Sequence, residues 1–312
     1  MEGDNLARIA WPLVRSGRNA EAEESARRAI ATLKRLPASP QLATAYRIQA
    51  HLRMLDRDSV EAVRWGRKAI ALARKLDDAE TMAAGHMIVG TAMLLVDDAR
   101  GRAEIERGQG IAQPAGLDAL VALGFSNMGS ALGEMFHLAA ADRYLAEGIA
   151  YAAARDLDHA HHYMLAWQAL LRLYQGRWAE AGEIAGGIAG RPNASAIARI
   201  MALVALGRLR ARRGDPDAAG ALDEALALAA QTQTLQRLAP VRAARAEAAW
   251  FAGDRARTRA EARAVHPLAL RHRHPWFSGE LAKLEVPSRV AAARLARDRG
   301  LLAQDGEPAA PR

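Results

Sequence analysis

Residues 27–36 have the sequence RRAIATLKRL, and residues 67–76, forty positions later, have the sequence RKAIALARKL. The centre of this unit, a small residue followed by a larger aliphatic residue, recurs along the chain at steps of 38 to 41 residues. The seven small residues are Ala29, Ala69, Gly110, Gly148, Gly187, Ala225 and Ala264. A fixed period of this length is typical of stacked supersecondary units, each of which packs mainly on its neighbours.

Length and composition favour a helical array. The chain has 312 residues, which is more than one compact core usually holds, and the period favours an extended array over two globular domains. Hydrophobic residues make up 51% of the chain but aromatic residues only 5%, and Ala is the commonest hydrophobic residue. Ala favours helices and fits closely packed helix crossings, so we expect almost no strand.

The predicted fold is an all-α, right-handed superhelix of about seven helical hairpins in a single domain at residues 1–303. The hairpins are expected at about residues 5–36, 41–76, 79–112, 117–155, 158–190, 194–230 and 236–271, with a partial repeat and C-terminal cap helix at 274–300. Residues 304–312 are expected to be a disordered tail. Asn19 is the predicted N-cap of the second helix, and a continuous helix is predicted over 255–271.

A second set of small residues follows the same period in the first helix of each hairpin. Small side chains allow two helices to cross at roughly 8–10 Å. The residues are Ala10, Ala50, Gly90, Gly129, Ala169, Gly207 and Ala246. With a third small position at Ala22, Ala62, Ala103, Ala141 and Ala218, this arrangement resembles the tetratricopeptide (TPR) repeat. The period is longer than the roughly 34 residues of that family, so the prediction is a TPR-like array with longer helices.

Four strings carry a closer resemblance. They are LGRLRARRGDP (206–216), LDEALALA (222–229), LQRLAPVRAARAEAAWFAGD (235–254) and HPWFSGEL (274–281). They resemble the helical-repeat arm of large ATP-dependent LuxR-type bacterial transcriptional regulators. The resemblance implies a sensor or partner-binding arm without the ATPase and helix-turn-helix modules. No Gly-x-x-x-x-Gly-Lys-Ser/Thr string occurs, so ATPase activity is not expected. Without the helix-turn-helix module, sequence-specific DNA binding is not expected either.

The groove of the superhelix is the expected binding surface. First helices line the concave side of TPR arrays, and the register of the small residues identifies the side chains that face it. They are Thr44, Arg47, His51, Met87, Thr91, Ser126, Ser130, Tyr163, Arg208, Glu247 and Trp250. This mixture suits a peptide or protein segment, and it also suits a small-molecule effector held between repeats. Ordinary solvated helix faces would give a similar set.

Positive charge is concentrated in the C-terminal part. Residues 1–190 contain 22 Lys+Arg and 23 Asp+Glu, whereas residues 191–312 contain 21 and 12. Arg255, Arg259 and Arg263 form an i, i+4 row on one helix face, which we call the Arg row. The row predicts contact with an acidic protein or peptide. The alternative is neutralisation within the chain, and the acids nearby in sequence are Asp215, Asp217, Asp223 and Glu224.

Catalytic and metal-binding motifs are not apparent. The chain has no Cys, which excludes disulfides and thiolate sites, and Gly-x-Ser-x-Gly does not occur. His159, His161 and His162 are the densest potential ligand set, but a polar start of the fifth hairpin explains them more simply. We therefore expect no cofactor, no metal and no enzymatic activity; an enzyme of unrecognised type is the remaining alternative. Without a secretory signal or a membrane span, the expected location is cytoplasmic.

Overall fold

The computed structural model describes residues 2–275, 277 and 279. Within those residues the chain forms fifteen α-helices and no strand. The helices are α1 (Glu2–Arg15), α2 (Asn19–Leu33), α3 (Pro40–Leu55), α4 (Ser59–Lys75), α5 (Ala79–Leu94), α6 (Arg100–Ala112), α7 (Asp118–Glu134), α8 (Leu138–Ala153), α9 (Asp158–Tyr174), α10 (Trp178–Ala189), α11 (Ala196–Arg213), α12 (Ala218–Thr232), α13 (Leu235–Phe251), α14 (Arg255–Arg263) and α15 (His266–Arg271). The predicted cap helix and tail lie outside the described residues.

The helices pack in two layers. The odd-numbered helices α1 to α13 each contact the next odd-numbered helix, so they form a continuous inner layer. The even-numbered helices α2 to α12 form the outer layer, and each packs against the odd-numbered helices that precede and follow it. The predicted all-α solenoid of TPR-like hairpins is therefore confirmed.

The turns inside the seven hairpins share one backbone feature. Each contains a residue with positive φ, and in four hairpins this residue is glycine: Gly17, Gly176, Gly214 and Gly253. In the second hairpin it is Arg57, with φ of 62°. A side chain in this left-handed conformation costs roughly 1–3 kcal/mol. The turn at Arg57 is therefore strained relative to a glycine turn, and its side chain makes contacts that offset the strain.

A very close helix crossing lies between α5 and α6. A Cβ atom added at Gly90 would overlap the carbonyl oxygen of Gly101, and one added at Gly101 would overlap the carbonyl oxygen of Gly90. The two helices therefore touch backbone to backbone. The alanines at the equivalent first-helix positions, Ala10, Ala50, Ala169 and Ala246, are fully buried.

The prediction that the small residues of the second helices lie at helix crossings was wrong in three hairpins. Gly110, Gly187 and Ala264 are exposed, and no heavy atom lies within 4 Å of a Cβ added at Gly110 or Gly187. The buried small residues there are Gly108, Ala185 and Ala262, two positions earlier. Two residues correspond to about 200° of helix rotation, so a small–aliphatic pair alone does not determine which face is buried.

The helix predicted over 255–271 is interrupted. α14 ends at Arg263 and α15 begins at His266, with Val265 between them at φ −129°. Pro267 lies in the first turn of α15. Proline has no N–H to donate to the carbonyl of Arg263, and it disfavours helical geometry in the residue before it. The break is thus a consequence of Pro267.

The two ends of the solenoid contact each other. The Asn19 side-chain amide donates a hydrogen bond of 2.7 Å to the carbonyl of Thr232, across 213 residues. The backbone N–H of Leu235 donates to the carboxylate of Asp56. Asn19 is therefore not the N-cap predicted for α2; it is the first residue of that helix, and its side chain reaches the loop between α12 and α13.

A buried ionic network strengthens this closure, and we call it the Arg57–Glu134–His274 clasp. Arg57 donates to Glu134 through Nε at 2.8 Å and Nη2 at 2.6 Å, and the Nε2 atom of His274 lies 2.9 Å from the same carboxylate. Because His274 Nδ1 accepts from the backbone N–H of Phe277, the ring proton lies on Nε2 and faces Glu134. The clasp joins the turn of the second hairpin, the end of α7 and the segment after α15.

The clasp perturbs the carboxylate strongly. Burial alone would raise the pKa of Glu134, but the charge of Arg57 and the hydrogen bonds from His274 and Arg57 outweigh burial and hold the pKa at about 2. Burial lowers the pKa of His274 and outweighs the opposing effect of Glu134, so the imidazole is neutral at pH 7. The clasp is thus a single Arg–carboxylate ion pair with a neutral histidine beside it.

Gly90→Ala should destabilise the protein by roughly 1–3 kcal/mol, because the new methyl group forces α5 and α6 apart. Gly110→Ala is the matched control, since Gly110 is exposed on α6 with open space around it. It should stabilise by up to about 1 kcal/mol through helix propensity. Urea unfolding measures both, and equal effects of the two substitutions would contradict the proposed crossing.

Glu134→Gln should lower the free energy of unfolding by about 3–5 kcal/mol, because it leaves Arg57 buried without a counter-ion. The pKa of Glu134 is lowered on folding, so its contribution is complete above about pH 4.5 and is lost as the pH falls towards 2. The variant should therefore lose that part of the pH dependence. Unfolding curves at several pH values measure this.

Glu147→Gln is the control for this substitution, because Glu147 is exposed and lies 3.8 Å from an exposed Arg143. Its effect should stay within about 0.5 kcal/mol at every pH. A Glu134→Gln variant as stable as this control would show that the clasp does not hold the solenoid closed.

Candidate functional site

The inner layer brings three of the predicted groove residues together. Arg47 and His51 lie one turn apart on α3, and Tyr163 lies on α9. Arg237, from the first turn of α13, contacts Tyr163, and Trp11 of α1 contacts both Arg47 and His51. We call these five residues the Arg47–Arg237 cluster. The two parts of the cluster are neighbours: the charge of Arg237 acts on His51, and the backbone N–H of Leu235 at the start of α13 donates to Asp56 at the end of α3.

Each arginine of the cluster lies over an aromatic ring. The Arg47 guanidinium carbon is 4.9 Å from the centre of the Trp11 ring, and Trp11 meets His51 edge to face at 5.3 Å. The Arg237 guanidinium carbon is 5.1 Å from the centre of the Tyr163 ring, and its Nη1 donates to the Tyr163 hydroxyl at 3.2 Å. These cation–π contacts hold both arginines in place.

The electrostatic field of the cluster is positive. Burial is the main cause that lowers the pKa of His51, and together with the charges of Arg47 and Arg237 it brings that pKa to about 3. His51 is therefore neutral at pH 7. Burial also lowers the pKa of Arg47, while Glu80 and Asp78 act in the opposite direction. An arginine stays protonated under these conditions, so the cluster carries two positive charges.

Buried arginines elsewhere are paired with carboxylates. Arg57 pairs with Glu134, Arg172 with Asp142, and Arg208 with Glu247. Arg47 and Arg237 are equally buried, with 7% and 5% of their surface exposed. Among the described residues, neither has a carboxylate oxygen within 4.0 Å, and the Nε of Arg47 has no hydrogen-bond partner. The cluster is therefore a buried cationic site without an internal counter-ion.

Other predicted groove residues are buried and bonded within their own helices. The Thr91 hydroxyl donates to the carbonyl of Met87 at 2.7 Å, and the Ser130 hydroxyl donates to the carbonyl of Asn127 at 3.3 Å. Ser126 is also buried, and Thr44 is half-buried. The predicted groove side chains Thr91, Ser126 and Ser130 of α5 and α7 are thus small and weakly polar.

The predicted groove residues of the sixth and seventh hairpins have different environments. Arg208 and Arg212 of α11 both donate to Glu247 of α13, at 2.8 and 2.7 Å. This arrangement ties the two helices together. Trp250 is 44% exposed and meets Phe251 edge to face at 5.2 Å.

The Arg row lies on the exposed face of α14. Arg255, Arg259 and Arg263 are exposed and make no ion pair with another described residue. The neighbouring acids bond to other arginines: Asp217 to Arg210, Asp223 to Arg245, and Glu224 to Arg199. The row is therefore not neutralised by direct ion pairs with these acids.

A cleft lies near the turn between α11 and α12. It has a volume of about 330 Å³ and is lined by residues of α11 to α14 and the intervening turns, among them Gly214, Asp215, Phe251 and Arg257. Part of its lining comes from strings that carry the LuxR-type resemblance, 206–216 and 235–254. This cleft is one place among the described residues with room for a small molecule.

The histidines at the start of α9 include two neighbouring rings. His161 and His162 have ring centres 5.8 Å apart, and burial lowers the pKa of His161. Over the part of the chain that the structure describes, no group of three or more His, Asp or Glu side chains is arranged to hold a metal ion. None of the described helices is long and apolar enough to cross a membrane.

Two residues of the cluster were missed in the sequence. Trp11 directly follows the small residue Ala10. In the other hairpins, the position directly after the small residue was predicted to face the groove, so Trp11 occupies a groove-facing position. Arg237 lies nine residues before Ala246, beyond the two turns that the register considered. Extending the same helix face by one more turn would have included Arg237. Its proximity to Tyr163 could not be predicted, because it depends on contact between the two ends of the solenoid, which the repeat pattern does not indicate.

Comparisons with known proteins support the fold. No protein-family profile and no curated protein matches the chain. A solved Rap protein in complex with Competence and Sporulation Factor is similar over 96% of this chain and 97% of its own, with a TM-score of 0.61 and 12% identity. The Rap conjugation gene regulator of the plasmid pLS20, in complex with the Phr* peptide, is similar over 97% and 98%, with a TM-score of 0.64 and 11% identity. At these identities the likeness shows a shared helical-repeat fold.

Proposed function

We propose that this protein is a non-enzymatic regulatory module that binds a peptide, or an extended segment of a protein, on the inner surface of its solenoid. The observation that carries the proposal is the Arg47–Arg237 cluster. A surface that serves only to pack helices would be apolar, because a buried charge without a partner is costly. Two such charges on the inner layer indicate a ligand that the isolated chain lacks.

The similar structures add support of a different kind. Both Rap proteins match nearly the whole chain, and the second is bound to a peptide. A stack of helical hairpins creates an extended inner surface, which suits an elongated ligand better than a compact one. The proposal places the ligand between α3, α9 and α13, where hairpins from both ends of the solenoid meet. The expected location of this binding is the cytoplasm.

A small-molecule-sensing arm of a LuxR-type regulator is the second candidate. It is favoured by the cleft of about 330 Å³ near Gly214, because the strings that resemble that family supply part of its lining. Pockets of this size hold small ligands. In this case the ligand would contact Asp215 and Arg257 of the cleft, and the inner surface would stay empty.

A peptide-capture experiment tests the proposed function. Random short peptides that carry a photoreactive group would be incubated with the full chain, irradiated, and mapped by mass spectrometry. Peptides should be retained, and cross-links should fall on α3, α9 and α13. Capture of no peptide, or cross-links confined to α14 or to the cleft near Gly214, would contradict the proposal.

The Arg row provides a control within the same experiment. Replacing Arg255, Arg259 and Arg263 together with Gln should leave the cross-linked positions unchanged. For acidic peptides it should slow association in low salt, since surface charges act mainly on the on-rate. The difference from the parent protein should vanish at about 1 M salt, where the Debye length is only about 3 Å.

A further inference from the structure

We propose that the Arg47–Arg237 cluster binds a carboxylate of the peptide partner, supplied either by its C-terminus or by an Asp or Glu side chain. This inference rests on the proposed function and specifies the chemistry of its ligand. The carboxylate would lie between α3 and α13, and both guanidinium groups would donate to it.

The first argument is the missing counter-ion. The other arginines that are buried among the described residues, Arg57, Arg172 and Arg208, each bond to a carboxylate of this chain. The exceptions, Arg47 and Arg237, belong to the same cluster, and both charges act on His51. Asp78 and Glu80 influence Arg47 only from beyond ion-pair distance. An external anion at this point would give Arg47 and Arg237 the counter-ion that the other buried arginines find within the chain.

The second argument is the donor capacity of the site. The Nε of Arg47 is fully buried and has no hydrogen-bond partner. Guanidinium groups bind carboxylates through paired N–H donors, and such charge-assisted bonds are about twice as strong as neutral ones. His51 is neutral, so it offers one further ring N–H without adding charge. The available donors match the acceptor atoms of a carboxylate.

The third argument is the low-polarity surroundings. The Trp11 ring packs against Arg47 and His51, and the Tyr163 ring packs against Arg237. These rings exclude water from the guanidinium groups, and exclusion of water strengthens a charge–charge interaction. Because Arg47 and Arg237 come from the second and the seventh hairpin, a carboxylate held by both would also link the two ends of the solenoid.

The test uses the full chain and four pools of N-acetylated random short peptides. Two pools have a free C-terminal carboxylate, one with and one without Asp and Glu, and two matching pools are C-terminal amides. The pool without any carboxylate should bind at least about 30-fold more weakly than the best pool, as expected for loss of a buried charge partner. Two of the pools identify the source of the carboxylate. Stronger binding of the free-acid pool without Asp and Glu indicates the C-terminus, and stronger binding of the amide pool with Asp and Glu indicates a side chain.

Two substitutions test the assignment to the cluster. Arg47→Gln and Arg237→Gln should each abolish the preference for carboxylate-containing pools. Without peptide, neither should lower the melting temperature, because each removes a buried charge that has no counter-ion. Arg172→Gln is the matched control: Arg172 is also buried but is paired with Asp142. It should lower the melting temperature and keep the preference.

The outcomes separate the two proposals. If the parent protein retains no pool, the proposed function fails and the carboxylate site fails with it. If all four pools bind equally, the peptide-binding function stands and the carboxylate site is wrong. A preference that survives both Arg47→Gln and Arg237→Gln would also overturn the assignment, because the carboxylate would then bind elsewhere.

Discussion

The Arg57–Glu134–His274 clasp is the interaction on which the rest of the site depends. In a solenoid, each repeat contacts only its neighbours, so nothing in the stacking itself brings the seventh hairpin back to the second. Arg57 and Glu134 meet across 77 residues of sequence, and His274 adds the C-terminal segment to the same carboxylate. This closure places Arg237 of α13 over Tyr163 of α9, and thereby creates the cationic cluster.

Polar contacts contribute to the closure. Those among the described residues include the clasp, the bond from Asn19 to Thr232, and the bond from Leu235 to Asp56. A strained backbone at Arg57 adds a cost that a glycine turn would avoid. Buried ion pairs contribute little net stability because desolvation opposes them. A ligand that bridges Arg47 and Arg237 would add to the stability of the closed state.

The sequence predicted the repeat architecture because the period and the small residues reflect contacts between neighbouring helices. It placed the first-helix crossings correctly at Ala10, Ala50 and Gly90. It misplaced the second-helix crossing at Gly110, since a pair of residue types does not encode the rotation of a helix. That the groove residues bind a ligand stays a prediction. Three of them, Arg47, His51 and Tyr163, belong to the Arg47–Arg237 cluster in the structure. The contact of Arg237 with Tyr163 and the clasp could not be predicted, because they result from contacts between distant repeats that leave no periodic signal.

The most direct test of closure is a distance between the two ends of the solenoid. The chain has no Cys, so spin labels attach only at introduced sites, and Ala20→Cys and Gln231→Cys are suitable because both positions are exposed. They neighbour Asn19 and Thr232, whose contact closes the structure. Pulsed electron paramagnetic resonance on the protein without peptide should give one narrow population of short distances, which lengthens when Glu134→Gln is added. A broad distribution of long distances in the parent protein would contradict the closed solenoid and the site that depends on it.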